Sequence, residues 1–402
     1  MTVTIKKSKA KGTVTAPPSK SIAHRAIVCG ALSSGSIVKN VEYSNDISAT
    51  LDCLVALGTK AQKNDNTITL GGLNPFSAAE ATLDCRESGS TLRFMIPLCM
   101  LSGSKITLTG SERLFARNLK IYEQIAKENN VLFDLSRDTL TVCGRLKSGN
   151  YKVEGNISSQ FISGLLFALP LLEGDSALEI TGDYESEPYV DLTVKSLNDF
   201  GVKIEKIGRT YKIKGGQKYE PQNITVEGDY SNAAFLDGFN LLGGDVNVQG
   251  LNDNSLQGDR VYKQMYQELK LGNKEFDLSN CPDLAPVMFA LSSVFGGAHF
   301  TGTKRLKIKE SDRAVAMAIE LKKFGIDVDV FENDVTVHGG QLKAPTETLC
   351  GHNDHRIVMA LALLCSITGG SIDDSQAVAK SYPDFFEKIK LLGIEVQGEK
   401  LL

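Results

Sequence analysis

The sequence predicts an α/β protein built from six repeats of about 67 residues, and three observations lead to this prediction. An apolar segment of fifteen residues, opening on a polar or small residue and closing on glycine, recurs six times along the 402 residues. A second helix that ends at glycine, followed by two strands of alternating polarity, comes after most copies. The composition, 42% hydrophobic and 23% charged, is typical of a globular protein.

Each apolar segment has the length and composition of a buried helix. The six copies are residues 21–35, 89–103, 160–174, 230–244, 283–297 and 356–370. Successive closing glycines are 68 to 73 residues apart, except that Gly244 and Gly297 are 53 apart. This short spacing predicts a degenerate fourth copy.

The second element supplies the outer part of each repeat. Glycine follows Leu57, Phe200 and Phe324, at the left-handed position that ends many helices. The segments concerned are 57–72, 200–216 and 324–340, with a truncated version at 392–397. The unit therefore has the order βαβαββ, and six units predict two lobes of three, each with its apolar helices packed inside.

Composition excludes several classes of protein. A net charge of −4 and a pI near 5.9 argue against a nucleic-acid-binding protein. There is no apolar run long enough for a membrane span and no signal-peptide pattern at the start, so we expect a cytoplasmic protein. The eight cysteines form no CxxC pair, and His352 with His355 lacks further ligands, so we expect core thiols and no metal site.

The start of each inner helix is a place where anions could bind, because free backbone N–H groups and the helix dipole favour negative charge there. The residues at these starts are Ser21, Gly89, Gln160, Tyr230, Asp283 and Arg356. Helix capping explains Ser and Asp at such positions equally well, so both interpretations remain open.

The segment Pro17-Pro18-Ser19-Lys20-Ser21 precedes the first inner helix, and Arg25 lies one turn further on the same face. A lysine, hydroxyl groups and an arginine at one helix entrance suit a phosphate or carboxylate, although a solvated helix start has the same composition. The segment lacks the GxxxxGK[ST] spacing of a nucleotide-binding P-loop.

Three cations occupy helix starts, where acidic residues are the usual choice: Lys20, Arg313 and Arg356. We interpret this departure as a sign of a bound anion, with Asp283 and Glu310 as acid and base candidates. Further cations are Arg117, just beyond a strand, Lys309, in a charged run that opens another helix, and Lys380, directly before Ser381.

Hydrogen-bonding residues open two more helices. Ser158-Ser159-Gln160 offers two hydroxyls and an amide for a polyol or phosphate, or else a simple N-cap. Ser186 and Tyr189 are positioned to reach the same side.

Nine segments, in this order and at this spacing, resemble the EPSP synthase (3-phosphoshikimate 1-carboxyvinyltransferase) family over essentially the whole chain. They are PPSKSIAHR (17–25), ESGSTLR (87–93), the loop around Arg117, SSQF (158–161), SEPY (186–189), PDLAP (282–286), KESDR (309–313), NDHR (353–356) and Lys380.

The resemblance implies a two-lobed inside-out α/β barrel of six βαβαββ units, three per lobe, with helices buried inside each lobe. It places residues 18–228 in one lobe, mainly on the shikimate 3-phosphate side, and residues 1–17 with 229–402 in the other. It implies an addition–elimination reaction of phosphoenolpyruvate with shikimate 3-phosphate, which yields 5-enolpyruvylshikimate 3-phosphate and phosphate on the route to chorismate and the aromatic amino acids. No cofactor or metal is implied, and we expect a monomer without a nucleic-acid or membrane partner.

Residue roles also follow from the resemblance. The residues implied to bind phosphoenolpyruvate are Lys20, Gly89, Arg117, Gln160, Arg313, Arg356 and Lys380. Those implied to bind shikimate 3-phosphate are Lys20, Ser21, Arg25, Ser158, Ser159, Gln160, Ser186, Tyr189, Asp283 and Lys309. Asp283 is implied to be the general base for the attacking 5-hydroxyl, and Glu310, with Lys20, to deliver a proton to the methylene carbon.

Two alternatives belong beside this interpretation. An enolpyruvyl transferase acting on UDP-N-acetylglucosamine shares the repeat plan, but it should carry a cysteine in the loop that here spans 111–118, where none is found. A non-catalytic anion-binding protein would leave the pairing of Asp283 with Glu310 unexplained.

Overall fold

The computed structural model describes residues 1–398, which contain thirteen α-helices and 21 β-strands. The helices are α1 (Lys20–Leu32), α2 (Asn45–Ala56), α3 (Gly89–Cys99), α4 (Glu112–Phe115), α5 (Lys120–Glu128), α6 (Ser159–Ala168), α7 (Glu187–Asp199), α8 (Tyr230–Leu241), α9 (Tyr262–Lys270), α10 (Ala285–Val294), α11 (Arg313–Lys323), α12 (His355–Thr368) and α13 (Phe385–Leu391). The strands are β1 (Val3–Ile5), β2 (Lys11–Thr15), β3 (Ser36–Lys39), β4 (Lys60–Asn64), β5 (Thr67–Gly71), β6 (Ala81–Asp84), β7 (Ile106–Thr109), β8 (Leu132–Leu135), β9 (Thr139–Cys143), β10 (Asn150–Glu154), β11 (Ser176–Thr181), β12 (Ile204–Ile207), β13 (Thr210–Ile213), β14 (Asn223–Thr225), β15 (Asp245–Gln249), β16 (Glu275–Asp277), β17 (Gly297–Thr301), β18 (Val328–Val330), β19 (Asp334–His338), β20 (Gly370–Ile372) and β21 (Val396–Gly398).

The chain forms two compact units, which we call the 18–227 unit and the 228–402 unit. The first comprises Pro18–Glu227, and the second comprises Gly228–Leu402 together with Met1–Pro17. The lobes expected from the sequence, 18–228 and 1–17 with 229–402, differ from these units by one residue.

Three repeats have the predicted βαβαββ order within one continuous segment. In the second repeat, β6 and β7 are parallel, and the hairpin β8–β9 joins the sheet through β9 to give the order β6-β7-β9-β8. The third repeat, β10-β11-β13-β12, and the fifth, β16-β17-β19-β18, are built in the same way. The parallel pair needs a helical crossover, which is the role of α3, α6 and α10.

Three repeats, namely the first, the fourth and the sixth, take a strand from a distant part of the chain. The first repeat opens with β14, which pairs in parallel with β3 although about 185 residues separate them. In the sixth repeat, β1 lies between β20 and β21 and takes the position that the last strand holds elsewhere. Its leading strand is reduced to one parallel bridge between Leu349 and Ile372.

The fourth repeat is incomplete, so the prediction of six full βαβαββ units is wrong at this point. It consists of the parallel pair β2 and β15 with α8 and α9, and the chain then passes directly into β16. The short distance between Gly244 and Gly297 leaves too few residues for the closing hairpin, in agreement with the predicted degenerate copy.

Each unit has its own hydrophobic core, and the six inner helices lie within these cores. Every residue of α12 from His355 to Ser366 is buried, which explains why this helix is apolar on all sides. Each large apolar side chain buried here contributes roughly 1.5–3 kcal/mol. Along residues 1–398, no helix combines the length and the apolar composition needed to cross a membrane.

Candidate functional site

In the 18–227 unit, Lys20 is the first residue of α1 and pairs with a carboxylate rather than standing alone. Its Nζ lies 2.9 Å from Asp46 Oδ2, and both side chains are largely buried, with 14% and 12% exposed. Asp46 lies in the first turn of α2. Its contact with Lys20 was not foreseen, because an acidic residue in a first turn is ordinary helix composition.

Arg25 is buried one turn along α1 and binds neutral oxygens. Its Nε donates to Thr193 Oγ1 at 2.8 Å, Nη1 to the Ser21 carbonyl at 2.6 Å, and Nη2 to the Tyr189 carbonyl at 2.7 Å. Burial lowers the pKa of this guanidinium to about 10. Ser21, Arg25 and Tyr189 are thus brought together, although Ser21 and Tyr189 contact the arginine through backbone atoms.

Two guanidinium groups converge at the start of α3. A Cβ at Gly89 would lie 2.8 Å from Arg117 Nη1 and 2.9 Å from Arg93 Nη1, so a side chain at this position would displace both guanidinium groups. Gln160 Oε1 accepts from Arg93 Nη1 at 2.8 Å, and Gln160 Nε2 donates to Ser90 Oγ at 2.9 Å. Within residues 1–398, Arg117 Nε is buried and has no hydrogen-bond partner.

This Gly89 corner combines a helix N-terminus with two cations, a combination that suits a carboxylate or phosphate. Arg93 is a member of the corner that was absent from the sequence-based site residues. Its spacing of four residues from Gly89, which places both on one helix face, was the available signal.

The serines of this unit have different local roles. Ser158 is the N-cap of α6, and its Oγ accepts from Gln160 N at 3.3 Å, as the capping alternative predicts. Ser159 is the first residue of that helix and is buried. Ser186 precedes α7 in a left-handed conformation, with φ 55°, and its side chain makes no capping hydrogen bond.

In the 228–402 unit, Asp283 is surrounded by three cations. Its Oδ1 accepts from Lys309 Nζ at 3.2 Å and from Arg313 Nη1 at 2.7 Å, while Oδ2 accepts from Arg356 Nη2 at 3.0 Å. Burial alone would raise the pKa of Asp283, but the charges of Arg356, Lys309 and Arg313 outweigh it and hold the pKa well below its usual range. The pKa of Lys309 is lowered, chiefly because the ammonium is desolvated.

Arg313 is the first residue of α11, a position where a cation is unusual, and its guanidinium contacts three carboxylates. Besides Asp283, Nη2 donates to Glu310 Oε2 at 2.8 Å and Nε to Asp354 Oδ2 at 2.9 Å. Asp312 caps the helix by accepting from Val315 N, which compensates the helix terminus. The unusual cation at this helix start therefore has a partner within the protein, an explanation that the sequence interpretation did not include.

Arg356 and Lys380 are the remaining predicted cations of the candidate site in the 228–402 unit. Arg356 Nε and Nη1 are buried and make no hydrogen bond to any part of the chain between residues 1 and 398, so this guanidinium has donors to offer. Lys380 ends a 3-10 turn, is 8% exposed, and donates from Nζ to the Asn353 carbonyl at 2.5 Å. The described residues contain no cluster of three His, Cys, Asp or Glu side chains that could hold a metal ion.

Comparison with known proteins decides the family. The family model described as EPSP synthase (3-phosphoshikimate 1-carboxyvinyltransferase) matches residues 5–389. The chain belongs to the EPSP synthase family. Its curated relatives include proteins named 3-phosphoshikimate 1-carboxyvinyltransferase from Clostridium kluyveri, 41% identical with 98% of each chain covered, and from Clostridium perfringens, 38% identical with 99% covered. The family resemblance predicted from the nine segments is confirmed.

Solved structures of similar fold include an EPSP synthase from Acinetobacter baumannii, with a TM-score of 0.78, 23% identity, and coverage of 99% of this chain and 100% of that one. The enolpyruvyl transferase NikO from Streptomyces tendae has a TM-score of 0.75 at 15% identity, with 98% of each chain covered. At these identities the likeness concerns the fold, and it confirms the predicted fold class of the EPSP synthase family.

Proposed function

We propose that the chain transfers the enolpyruvyl group of phosphoenolpyruvate to the 5-hydroxyl of shikimate 3-phosphate, giving 5-enolpyruvylshikimate 3-phosphate and phosphate. One observation carries this proposal: Asp283 contacts Lys309, Arg313 and Arg356. The chain that contains this group is a member of the EPSP synthase family. This group unites an ionised carboxylate, which can accept a proton, with cations that can hold anionic substrates.

Phosphoenolpyruvate carries a phosphate and a carboxylate, and we assign seven residues to it. They are Lys20, Gly89, Arg117, Gln160, Arg313, Arg356 and Lys380. Nitrogens of Arg117 and Arg356 that are buried and lack a partner within residues 1–398 support this assignment, because a buried donor without an acceptor costs roughly 1–3 kcal/mol that a bound anion would recover.

Shikimate 3-phosphate offers a phosphate, a carboxylate and hydroxyls. We assign to it Lys20, Ser21, Arg25, Ser158, Ser159, Gln160, Ser186, Tyr189, Asp283 and Lys309. Ser186 supports the assignment, since its hydroxyl makes no capping bond to its own helix. Arg25 supports it because its buried charge is surrounded by neutral oxygens.

In the proposed addition step, Asp283 takes the proton of the 5-hydroxyl as the oxygen attacks C2 of phosphoenolpyruvate. Glu310, with Lys20, delivers a proton to the methylene carbon, which becomes a methyl group. In the elimination step that follows, a proton leaves the methyl group and phosphate departs. Negative charge that develops on the departing phosphate is stabilised by arginine and lysine side chains.

The low pKa of Asp283 keeps its carboxylate ionised but makes it a weak base. Anionic substrates that draw Arg313 and Arg356 toward themselves would weaken their hold on Asp283 and raise its pKa. Substrate binding and base strength are coupled in this proposal. It involves no metal or cofactor, and we propose a cytoplasmic monomer that binds neither nucleic acid nor membranes.

The test is the release of phosphate from phosphoenolpyruvate with either shikimate 3-phosphate or UDP-N-acetylglucosamine as acceptor. The proposal is supported if phosphate is released with shikimate 3-phosphate as acceptor and not with the UDP-sugar. This activity should be lost in Lys20→Met and kept in the control Asp253→Asn. The control residue is exposed, with 91% of its side chain accessible. Turnover with the UDP-sugar favours the second acceptor class, and binding without turnover favours an anion-binding protein.

A further inference from the structure

Glu320, on α11, is a buried carboxylate outside the residues assigned above. Its side chain is 0% exposed. Oε1 lies 2.9 Å from His352 Nε2 and 3.2 Å from Lys323 Nζ, while Oε2 accepts from Lys323 Nζ and from the backbone N of Cys350, both at 2.9 Å. Although burial raises the pKa of Glu320, the hydrogen bonds from His352, Lys323 and Cys350 outweigh it, and the pKa is lowered. The group is therefore an ionised acceptor.

The position of Glu320 along α11 relates it to Arg313. Seven residues, two helical turns, separate the two, so both point to the same side of the helix. Arg313 Nε holds Asp354, and Glu320 holds Cys350 and His352. One helix face thus fixes both ends of the segment 350–354, which we call the 350–354 turn.

Further bonds hold the 350–354 turn from its other side. The backbone N of Asn353 donates to Asp374 Oδ2 at 3.3 Å, and Gly351 N donates to the Asp373 carbonyl at 3.1 Å. Lys323, which pairs with Glu320, also donates to the Thr348 carbonyl at 3.1 Å.

The conformation of this turn needs such support. His352 and Asn353 are consecutive left-handed residues, with φ of 51° and 50°. This region is sparsely populated by residues other than glycine and persists where the surroundings enforce it. The turn leads to two cations of the site: the carbonyl of Asn353 accepts from Lys380 Nζ, and α12 then begins with His355 and Arg356.

We infer that Glu320 is a positioning residue for phosphoenolpyruvate, because its bonds to Cys350 and His352 hold the 350–354 turn that places Lys380 and Arg356. This inference rests on the proposed function. It assigns to Glu320 no contact with substrate. It states that the affinity for phosphoenolpyruvate depends on a carboxylate that acts through the backbone of the turn.

Glu320→Gln tests the inference with little change in side-chain volume. The NH₂ group faces Lys323 Nζ in either orientation of the amide. In one orientation it also faces the Cys350 N–H, which loses its acceptor, and in the other it faces His352 Nε2, which can accept only after the imidazole changes tautomer. We expect KM for phosphoenolpyruvate to rise about tenfold, because small displacements of binding groups have large effects, while KM for shikimate 3-phosphate stays unchanged and kcat changes less than about threefold.

Leu321→Ala is the matched control, since Leu321 is the next residue of α11, is fully buried in the core, and belongs to a different face of the helix. It should lower the melting temperature and leave KM for phosphoenolpyruvate as it was. His352→Asn removes one bond to Glu320 while keeping a residue that tolerates the left-handed conformation, and we expect a smaller rise in KM, about threefold.

A Glu320→Gln enzyme that is less stable but has the KM values of the wild type would overturn the inference and leave the proposed function intact. If Glu320→Gln does not fold, an unchanged KM in His352→Asn overturns it in the same way. Absence of turnover in the wild-type enzyme, in contrast, overturns the proposed function itself.

Discussion

Arg25 and Arg313 are both buried arginines near the start of an inner or outer helix, but the groups around them differ in charge. Arg25, in the 18–227 unit, donates to a threonine hydroxyl and two backbone carbonyls. Arg313, in the 228–402 unit, pairs with Asp283, Glu310 and Asp354. Burial lowers the pKa of Arg25 to about 10, whereas the three carboxylates outweigh burial at Arg313 and raise its pKa.

The difference separates two uses of a buried cation. A guanidinium among neutral oxygens keeps an uncompensated charge and attracts an anion. A guanidinium among carboxylates is compensated, and its main effect is to fix the positions and the ionisation of those carboxylates. We therefore expect changes at Arg25 to weaken mainly the binding of shikimate 3-phosphate, and changes at Arg313 to affect chemistry and stability as well as the binding of phosphoenolpyruvate.

The largest effect, on kcat, is expected from Asp283→Asn, which removes one of the carboxylates around Arg313. The amide cannot accept the proton of the attacking hydroxyl, so kcat should fall about 10²- to 10⁴-fold. Phosphate-release kinetics measures the loss, and calorimetry with shikimate 3-phosphate shows whether binding survives. A kcat within threefold of the wild type would remove Asp283 from the role of base.

The second effect concerns stability. Arg313→Met leaves Asp354, which is 0% exposed, without its cation, so the free energy of unfolding should fall by about 3–5 kcal/mol. Arg25→Met removes a partly uncompensated charge together with its hydrogen bonds and should cost only about 1–2 kcal/mol. Urea denaturation followed by circular dichroism compares the two variants. Equal losses would contradict the distinction drawn between the two arginines.

A third, smaller effect concerns the arginines near Gly89 in the 18–227 unit and the KM for phosphoenolpyruvate. In Gly89→Ala the new Cβ would lie within 3 Å of Arg117 Nη1 and Arg93 Nη1, both at the ends of flexible side chains. The guanidiniums can shift, so stability should hardly change, but KM for phosphoenolpyruvate should rise about tenfold. Steady-state kinetics and a melting curve test this together, and an unchanged KM would place phosphoenolpyruvate away from the Gly89 corner.

The smallest effect is a pH dependence in the same unit. His24 is buried between Lys20 and Arg25 on α1, and burial, with the charges of both, lowers its pKa well below 6.5. The fold accommodates the neutral imidazole. The free energy of unfolding therefore keeps its full value above the pKa that His24 has in the unfolded chain, and it decreases as the pH falls below that pKa. Between pH 6.5 and 5.5 the free energy of unfolding should fall by about 1 kcal/mol more in the wild type than in His24→Gln. His338→Gln, which changes an exposed histidine, is the control, and identical pH profiles for the wild type and His24→Gln would contradict this.

The sequence predicted the repeats well because apolar periodicity and terminal glycines are local signals. The inner helices and the closing hairpins of the first, third and fifth repeats follow from them, and so does the shortened fourth repeat. The pairing of β14 with β3 in the first sheet was not predicted, because the sequence of a three-residue strand does not determine which strand it pairs with.

The candidate site was predictable in its members but not in its pairings. Cations at helix starts could be read from the sequence, yet Lys20 and Asp46 are 26 residues apart, and Arg313 and Asp354 are 41 apart. Contacts at such separations depend on the tertiary fold. For this reason the pairing of Lys20 with Asp46 and that of Arg93 with Gln160 were not predicted, and neither were the three carboxylates that contact Arg313.

The position of β1 between β20 and β21 has a consequence for how the chain folds as it is made. Residues 3–5 are synthesised long before residues 370–372 and 396–398, with which they pair. The strand must stay without its partners on the ribosome while both units are translated, and closure of the last sheet waits for almost the whole chain. The 18–227 unit has no such delay, because its borrowed strand β14 leaves the ribosome as the last element of that unit.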